Sequence, residues 1–376
     1  MAYQNVGGSP RFFIDNYLYL RAMGLNPEEY INQPDDNDTF KTPLDNPNAF
    51  TLSPEISKQF IRESGDASAV RFFIPCGNLV SGMNFSGNMK WYGAILNHNL
   101  NDCGAKIQNT IFMPQVSTDG NDADGDITRV LNNVSLSEDI SLNGSSIWYT
   151  DLVPSDDNFI FTGFRLLSST DDNIEGNFNN LQIGAVSMGV MYTMPKSPDL
   201  ELTMTILNDG IDKSTTLGGS DLTNIRYAGA PNWANQGKFS SPFGVGNYSE
   251  DITLNGARRN GRREWQMKFS YITDSDLFSS NYMHNNYLEN NADSYNDSDI
   301  NTTGDGFEYN MFTDDSFIAQ VWNKTLGGGL RFIFQPDSNN SNPDQFCIAK
   351  FDQKSLEINQ VAYKSYEISV KIREVW

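Results

Sequence analysis

The chain has 376 residues, a formal net charge of −21 at pH 7 and a sequence pI of about 4.3. So acidic a surface repels phosphate backbones and anionic lipid, which argues against binding of nucleic acid or of a membrane surface. Hydrophobic residues make up 38% and aromatic residues 12% of the sequence, which excludes a disordered chain. The sequence has no run of about 18 apolar residues that would predict a membrane span, and its start, MAYQNVGGSPRFF, lacks the pattern of a signal peptide.

Clusters of Asn and Asp recur along the whole sequence, as in NQPDDND, HNLND and DSNNSNPD. These side chains hydrogen-bond their own backbone and tolerate left-handed conformations, so the clusters predict turns. The runs between them are short and rich in β-branched and aromatic residues, which favours strands. The sequence therefore predicts an all-β protein with two β-sandwich (jelly-roll-like) domains and an extended N-terminal arm.

Residues 1–50 form the predicted arm. PRFFIDNYLYLRAMG predicts a short strand or helical turn, and a segment rich in Pro, Asn and Asp follows it. Such a segment does not fold alone, so we expect it to lie on a neighbouring domain or subunit. Phe12, Phe13, Tyr17 and Tyr19 are too apolar to remain in water, and we therefore predict that they make assembly contacts.

Residues 51–195 form the predicted jelly-roll-like β-sandwich, with strand patterns such as VRFFIP, WYGAIL and LQIGAVSMGVMYTM. His98 ends one of these strands and is expected to hold the strand end by hydrogen bonds. STDGNDADGDITR offers oxygen ligands for calcium in a set of five residues: Asp119, Asn121, Asp122, Asp124 and Asp126. A solvated surface turn is the favoured alternative, because the spacing fails the EF-hand pattern.

Residues 196–376 form the predicted second β-sandwich, with long loops at about 207–260 and 280–310. LELTMTIL predicts a strand with Leu200, Leu202, Met204 and Ile206 on one side, and residues 311–326 predict a helix capped by Asp314. Its inward side chains would be Phe317, Val321 and Trp322. Strand alternation predicts two further faces, made by Trp265, Met267, Phe269 and Tyr271 and by Ile368, Val370 and Ile372.

Four arginines stand close together in GARRNGRREW, namely Arg258, Arg259, Arg262 and Arg263. They predict either binding to an acidic patch of a neighbouring copy or cross-strand ion pairs with acidic residues of the same chain. Aromatic residues in the predicted loops could stack on sugars or on neighbouring subunits; these are Tyr227, Trp233, Tyr287 and Tyr295.

Residue patterns for catalysis are scarce. The sequence has two histidines, His98 and His284, and no GxSxG, HExxH or Walker motif. Its cysteines, Cys76, Cys103 and Cys347, form no CxxC pair and predict reduced, buried thiols. We therefore expect neither an enzyme nor a cofactor. A polysaccharide-degrading enzyme is a remaining alternative that requires two carboxylates roughly 5–10 Å apart in a groove.

Two groups of segments resemble virion proteins of tailed bacteriophages. WYGAILNHNLNDCGAKI, FTGFRLL and LQIGAVSMG resemble a jelly-roll module similar to discoidin-type, galactose-binding-like sandwiches. GRREWQMKFSYI, QVWNKTLGGGLRFIFQPD and DQFCIAKF, together with the final IREVW, resemble C-terminal β-sandwiches of phage tail proteins. The opening MAYQNVGGSPRFF looks like proteins of marine phages.

The resemblance implies a structural component of a phage particle, in the tail, in the baseplate or attached to the capsid. Its expected partners are copies of itself and other virion proteins, and its expected location is the virion, assembled in the host cytoplasm. The alternative is a receptor- or carbohydrate-binding module that holds a host-surface glycan.

Overall fold

The structure is a computed structural model. It describes residues 8–24, 50–53, 58–59, 69–75, 88–98, 105–113, 127–134, 144–150, 161–168, 182–207, 211–225, 261–278, 315–341 and 345–375. Strands make up 52% of the described residues and helices 13%, which confirms the prediction of an all-β protein. Within these ranges, no helix is both long enough and apolar enough to cross a membrane.

Antiparallel strands dominate each part of the chain that the structure describes. They are β1 (Arg11–Asp15), β2 (Lys58–Gln59), β3 (Ala69–Pro75), β4 (Met89–His98), β5 (Ala105–Met113), β6 (Ile127–Val134), β7 (Gly144–Thr150), β8 (Phe161–Ser168), β9 (Gln182–Ile183), β10 (Ala185–Thr193), β11 (Thr203–Leu207), β12 (Ile211–Thr215), β13 (Asp221–Ile225), β14 (Arg262–Thr273), β15 (Phe332–Gln335), β16 (Cys347–Phe351), β17 (Ile358–Ala362) and β18 (Ser365–Glu374). The helical segments in the described ranges are α1 (Asn16–Ala22), α2 (Asp274–Leu277) and a π-helix (Ile318–Asn323).

The largest sheet has ten strands in the order β11-β14-β18-β16-β15-β1-β10-β4-β7, and β17 pairs with β18 as well. A four-stranded sheet has the order β3-β8-β5-β6, and two small sheets pair β12 with β13 and β2 with β9. Strands from all three predicted regions of the chain therefore meet in the ten-stranded sheet. The division into two sandwich domains stays a prediction, and the large sheet crosses its boundary at residue 195.

Strand β1 lies inside the large sheet, between β10 and β15. Phe12 is paired with Tyr192 on one side and with Phe334 on the other. The predicted arm thus supplies the strand that joins β10, β4 and β7 to β15, β16 and β18.

Both faces of the sheet are buried around β1, which explains why RFFID is continuously apolar from Phe12 to Ile14 rather than alternating. On one face, the ring centroid of Phe12 lies 5.3 Å from that of Phe334 and 5.9 Å from that of Phe351. On the other face, the rings of Phe13 and Tyr92 meet edge to face at 5.2 Å. Aromatic packing on both sides fixes β1 within the core.

The predicted alternation of β18 is confirmed, because Ile368, Val370 and Ile372 are all buried. The prediction for β14 is correct as far as Phe269 and wrong for Tyr271, which is 69% exposed. The register against β18 shifts between Phe269 and Ile272, and Tyr271 adopts a φ of 59°. This β-bulge turns Tyr271 outward and places Ile272 in the core instead.

The strand β11 follows the predicted alternation only in part. Leu202 and Met204 pack against the core, whereas Ile206 and Leu200 are exposed. The strand itself begins at Thr203, so Leu200 precedes the segment that the sheet orders.

The helix predicted at 311–326 is present as the shorter π-helix. Phe317 and Val321 are buried as predicted, and Trp322 packs against the core. The Ser316 hydroxyl accepts a hydrogen bond from the Ala319 N–H at 3.3 Å, whereas Asp314 lies outside the described residues.

Gly189 in β10 allows β1 to approach closely. A Cβ atom at this position would lie 2.1 Å from the carbonyl oxygen of Ile14 and 3.0 Å from the backbone nitrogen of Asn16. Both obstacles are backbone atoms, so only glycine fits opposite the end of β1.

Candidate assembly and binding surfaces

The predicted assembly contacts of the arm are internal contacts of the fold. Phe12, Phe13 and Tyr17 are completely buried, and Tyr19 is buried as well. The ring of Tyr17 packs against that of Phe50 at 4.8 Å. The prediction that these four side chains dock on a neighbouring copy is therefore wrong, because their apolar surface is covered within their own chain.

Within the arginine cluster, Arg263 has an internal role. Arg263 is buried and makes two side-chain bonds to Glu374, with Nε 3.1 Å from Oε2 and Nη2 3.0 Å from Oε1. Its Nη2 also donates to the carbonyl oxygen of Phe346 at 3.1 Å. Of the two alternatives, Arg263 follows the internal pairing with an acid of its own chain. Arg262 is half-buried in the same strand, and Arg258 and Arg259 lie outside the described residues.

The outward face of β14 and β18 carries further cross-strand ion pairs. Lys371 Nζ lies 3.0 Å from Glu264 Oε1 and 2.9 Å from Asp352 Oδ2, and Lys268 Nζ lies 2.9 Å from Glu367 Oε1. These pairs are partly exposed and therefore contribute little stability. They leave this face charged and well hydrated, which makes it a poor surface for apolar docking.

Several predicted site residues lie outside the described residues. This holds for the calcium candidates Asp119, Asn121, Asp122, Asp124 and Asp126, for the aromatic residues Tyr227, Trp233, Tyr287 and Tyr295, and for His284, Cys76 and Cys103. Within the described ranges, no three His, Cys, Asp or Glu side chains come together in a way that could hold a metal ion. The calcium site stays a prediction.

His98 behaves as predicted for a strand-end residue. Its Nε2 lies 2.6 Å from the Ser146 hydroxyl, which links the end of β4 to β7, and both side chains are buried. Burial lowers the pKa of His98 from 6.5 to about 3, so the ring is neutral at physiological pH. A serine hydroxyl that is hydrogen-bonded to a histidine could act as a nucleophile with its base. Here, however, both side chains are buried.

Two further buried groups carry shifted pKa values. Lys324, directly after the π-helix, donates from Nζ to Gln320 Oε1 at 2.6 Å, and burial lowers its pKa to about 7. Cys347 is buried as predicted, and burial raises the pKa of its thiol. A thiol held in its neutral form is unreactive, which fits a structural residue.

The first surface that sequence reasoning missed is the exposed hairpin, formed by β12 and β13 (Ile211–Ile225). It lies in the segment predicted as a long loop. Every residue from 211 to 224 is exposed, and the two strands pair only with each other among the described strands. Leu217 at the tip is fully exposed, and Leu222 is 58% exposed. From residue 211 to residue 224, the hairpin thus presents its leucine side chains to the surroundings and buries no side chain.

The turn of the exposed hairpin is well formed. The Thr216 N–H donates to the carbonyl oxygen of Ser220 at 2.8 Å, the Ser220 N–H donates to the Thr216 hydroxyl at 3.0 Å, and Gly219 has a φ of 82°. A loop of three to five residues that contains Gly, between two strand-like runs, is the sequence signal of such a hairpin, and here it spans residues 216–220. The signal was present in KSTTLGGSDLT and could have located this element.

The second surface is the tyrosine end, formed by Tyr271, Val361 and Tyr363. Ser365 pairs with Thr273 of β14 on one side and with Ala362 of β17 on the other, so these side chains belong to the same end of the sheet. Tyr363 is 84% exposed, and Val361 is exposed as well. The tyrosine end therefore presents two exposed aromatic rings and one exposed valine.

Comparison with protein-family models, with curated proteins and with solved structures finds no match to this chain.

Proposed function

We propose that the chain is a structural component of a virus particle, in a phage tail, in a baseplate or attached to a capsid, and that it acts by self-assembly and contacts with other virion proteins. The observation that carries this proposal is the exposed hairpin. An isolated two-stranded hairpin is marginally stable in water, and exposed leucines on such a hairpin favour association of a monomer with other molecules. Packing against a neighbouring subunit would cover these leucines and stabilise the hairpin.

The energetic gain from such packing is appreciable. Complete burial of one leucine side chain stabilises a contact by roughly 1.5–3 kcal/mol. Because Leu222 is already partly covered, Leu217 and Leu222 together would contribute roughly 2.5–4.5 kcal/mol for each hairpin before the entropic cost of association is subtracted. A symmetric assembly repeats the same contact at each interface, so a modest contact is sufficient.

The test is the mass of the full chain in solution, measured by sedimentation velocity over a range of protein concentrations. We expect concentration-dependent association in the wild type and its loss in the double variant Leu217→Ser/Leu222→Ser. Thr223→Ser, which removes a single methyl group from the same hairpin and leaves both leucines in place, serves as the matched control and should associate like the wild type. A wild type that remains monomeric throughout, or a double variant that associates unchanged, would contradict the proposal.

A second candidate function, binding of a host-surface glycan, is favoured by the tyrosine end. Tyrosine rings stack on the apolar faces of sugars, and the bulge at Tyr271 holds its ring away from the sheet at a strained φ of 59°. Strain at an exposed aromatic residue is a reason to consider binding.

A glycan array probed with the full chain tests this candidate. Tyr271→Ala and Tyr363→Ala should each abolish any glycan signal. Tyr149→Ala, at an exposed tyrosine beside Arg11 on a different part of the sheet, should leave the signal unchanged. No signal for the wild type, or equal signals for the three variants, would refute the assignment to the tyrosine end.

A further inference from the structure

The carboxyl group of Asp15 lies in the interior of the fold, where β1 passes into α1. Its exposure is only 2%, and the residue is paired with Gly189, which in turn is paired with Tyr92 of β4. Asp15 therefore stands at the end of an internal strand of the ten-stranded sheet rather than on an edge strand. A carboxyl at such a place must either be neutral or be paired with a cation.

The hydrogen bonds of this carboxyl satisfy only one of its two oxygens. Oδ1 accepts from the N–H groups of Tyr17 at 2.8 Å and of Leu18 at 3.3 Å, and it thereby caps α1. Among the described residues, Oδ2 is buried without a hydrogen bond of good geometry, and the same holds for the neighbouring Asn16 Oδ1. The Ser187 hydroxyl and the Met188 N–H favour the ionised carboxyl, but burial outweighs them. A buried acceptor oxygen without a well-formed hydrogen bond indicates that a proton on Oδ2 would be stabilised.

The groups that face Asp15 from the packed elements bring no positive charge among the described residues. The titratable ones are the phenols of Tyr17 on α1 and Tyr92 on β4, and β10 adds the hydroxyl of Ser187. Arg11, the cation on the same face of β1, contacts Gln335 and the ring of Tyr149 instead. An ionised Asp15 would therefore be a buried charge without a counter-ion in the part of the chain that the structure describes.

We propose that Asp15 is a pH-sensitive switch at the end of an internal strand of the sheet: its carboxyl carries a proton when β1 is docked, and loss of that proton loosens the junction of β1 and α1. Because β1 connects β10 to β15, loosening it weakens the link between the two halves of the large sheet. This inference is independent of the function proposed above.

The direction of the pH dependence follows from proton binding. Burial raises the pKa of the Asp15 carboxyl from 3.8 to about 7, against the lowering effects of the Ser187 hydroxyl and of the N–H groups of Leu18, Tyr17 and Met188. Between these two pH values the folded chain keeps a proton that the unfolded chain has lost. The contribution of this group to stability is therefore complete below about pH 4 and is lost as the pH rises towards and through 7.

The experiment compares the wild type with Asp15→Asn, which keeps a side chain able to cap α1 but cannot ionise. Urea unfolding is measured at pH 5.5 and at pH 8.5. In the wild type, the unfolding constant should rise over this interval on the order of 30-fold more than in Asp15→Asn. Asp337→Asn, the same substitution at a second buried aspartate, is the matched control for the loss of a carboxyl group elsewhere in the chain.

Hydrogen exchange and infrared spectroscopy give readouts that do not depend on global unfolding. In the wild type, amides of residues 8–24 should exchange faster at pH 8.5 than at pH 5.5 after correction for intrinsic rates, and this difference should vanish in Asp15→Asn. The infrared band of a protonated carboxyl should be present in the wild type at pH 6 and absent at pH 8.5, a measurement that requires no variant. Parallel unfolding curves for wild type and Asp15→Asn, or no protonated carboxyl band at pH 6, would overturn the proposal.

Discussion

Removing the carboxylate of Glu374 should strongly destabilise the chain. In Glu374→Ala, the guanidinium of Arg263 would lose both of its bonds to the carboxylate while remaining buried at 7% exposure. The backbone N–H of Arg263 would also lose its acceptor, Glu374 Oε2 at 3.0 Å. A buried charge left without its partner costs about 3–5 kcal/mol, so we expect the free energy of unfolding to fall by about this amount.

Urea unfolding, followed by the fluorescence of the tryptophans, measures this loss. Trp265 is a suitable reporter because the guanidinium of Arg263 lies 5.2 Å from its ring centroid. Glu264→Ala is the matched control, since its partner Lys371 is partly exposed and the pair should contribute less than about 1 kcal/mol. The double variant Arg263→Met/Glu374→Leu should recover part of the stability, because it removes the buried charge together with its partner, although the backbone N–H at position 263 still lacks its acceptor.

Two outcomes would refute this reasoning. A loss in Glu374→Ala as small as that in Glu264→Ala would mean that the pair is not buried in the folded chain. An unchanged stability together with weakened association between copies would mean that Arg263 contacts a neighbouring subunit, which is the alternative that the sequence left open.

Three further predictions concern the core. Phe12→Ala should lower the free energy of unfolding by about 3–5 kcal/mol in urea, because the ring contacts aromatic side chains of three elements, and a loss below about 1 kcal/mol would contradict an internal β1. Gly189→Ala should prevent β1 from docking, which faster hydrogen exchange in residues 8–24 would reveal; unchanged exchange would contradict the close approach. His98→Asn should flatten the acid limb of stability, because the folded chain holds this ring neutral down to about pH 3 whereas the unfolded chain binds a proton below about 6.5. The wild type should therefore lose stability relative to His98→Asn between pH 6.5 and 3, and a difference in urea midpoint that stays constant over this range would contradict this assignment.

Local patterns were sufficient to predict strands and the faces that they bury. The alternation of Ile368, Val370 and Ile372 identifies the core side of β18 because the side chains of a strand alternate with a period of two residues. The apolar character of Phe12 and Phe13 was equally clear, and so was the need to cover them. What the sequence could not supply was the covering partner, since Phe12 is paired with Tyr192 and Phe334, far away in the chain.

The sequence signals the two candidate surfaces to different extents. The exposed hairpin had a local signal in its Gly-Gly turn, but a search for long apolar runs assigns such a polar segment to a loop. The outward position of Tyr271 depends on a register shift against β18, and the alternation of side chains in the sequence does not predict this shift. In the sequence, Asp15 looks like any turn-forming aspartate. Its burial cannot be predicted there, because it depends on strands that are distant along the chain.

The most direct test of the central claim is an electron cryomicroscopy image of the assembled full chain. We predict a repeating assembly in which Leu217 and the rest of the exposed hairpin lie at the contact between copies, while β1 remains within the sheet of its own subunit. An isolated particle of 42.1 kDa at every concentration, or a hairpin surrounded by solvent in the assembly, would contradict the claim.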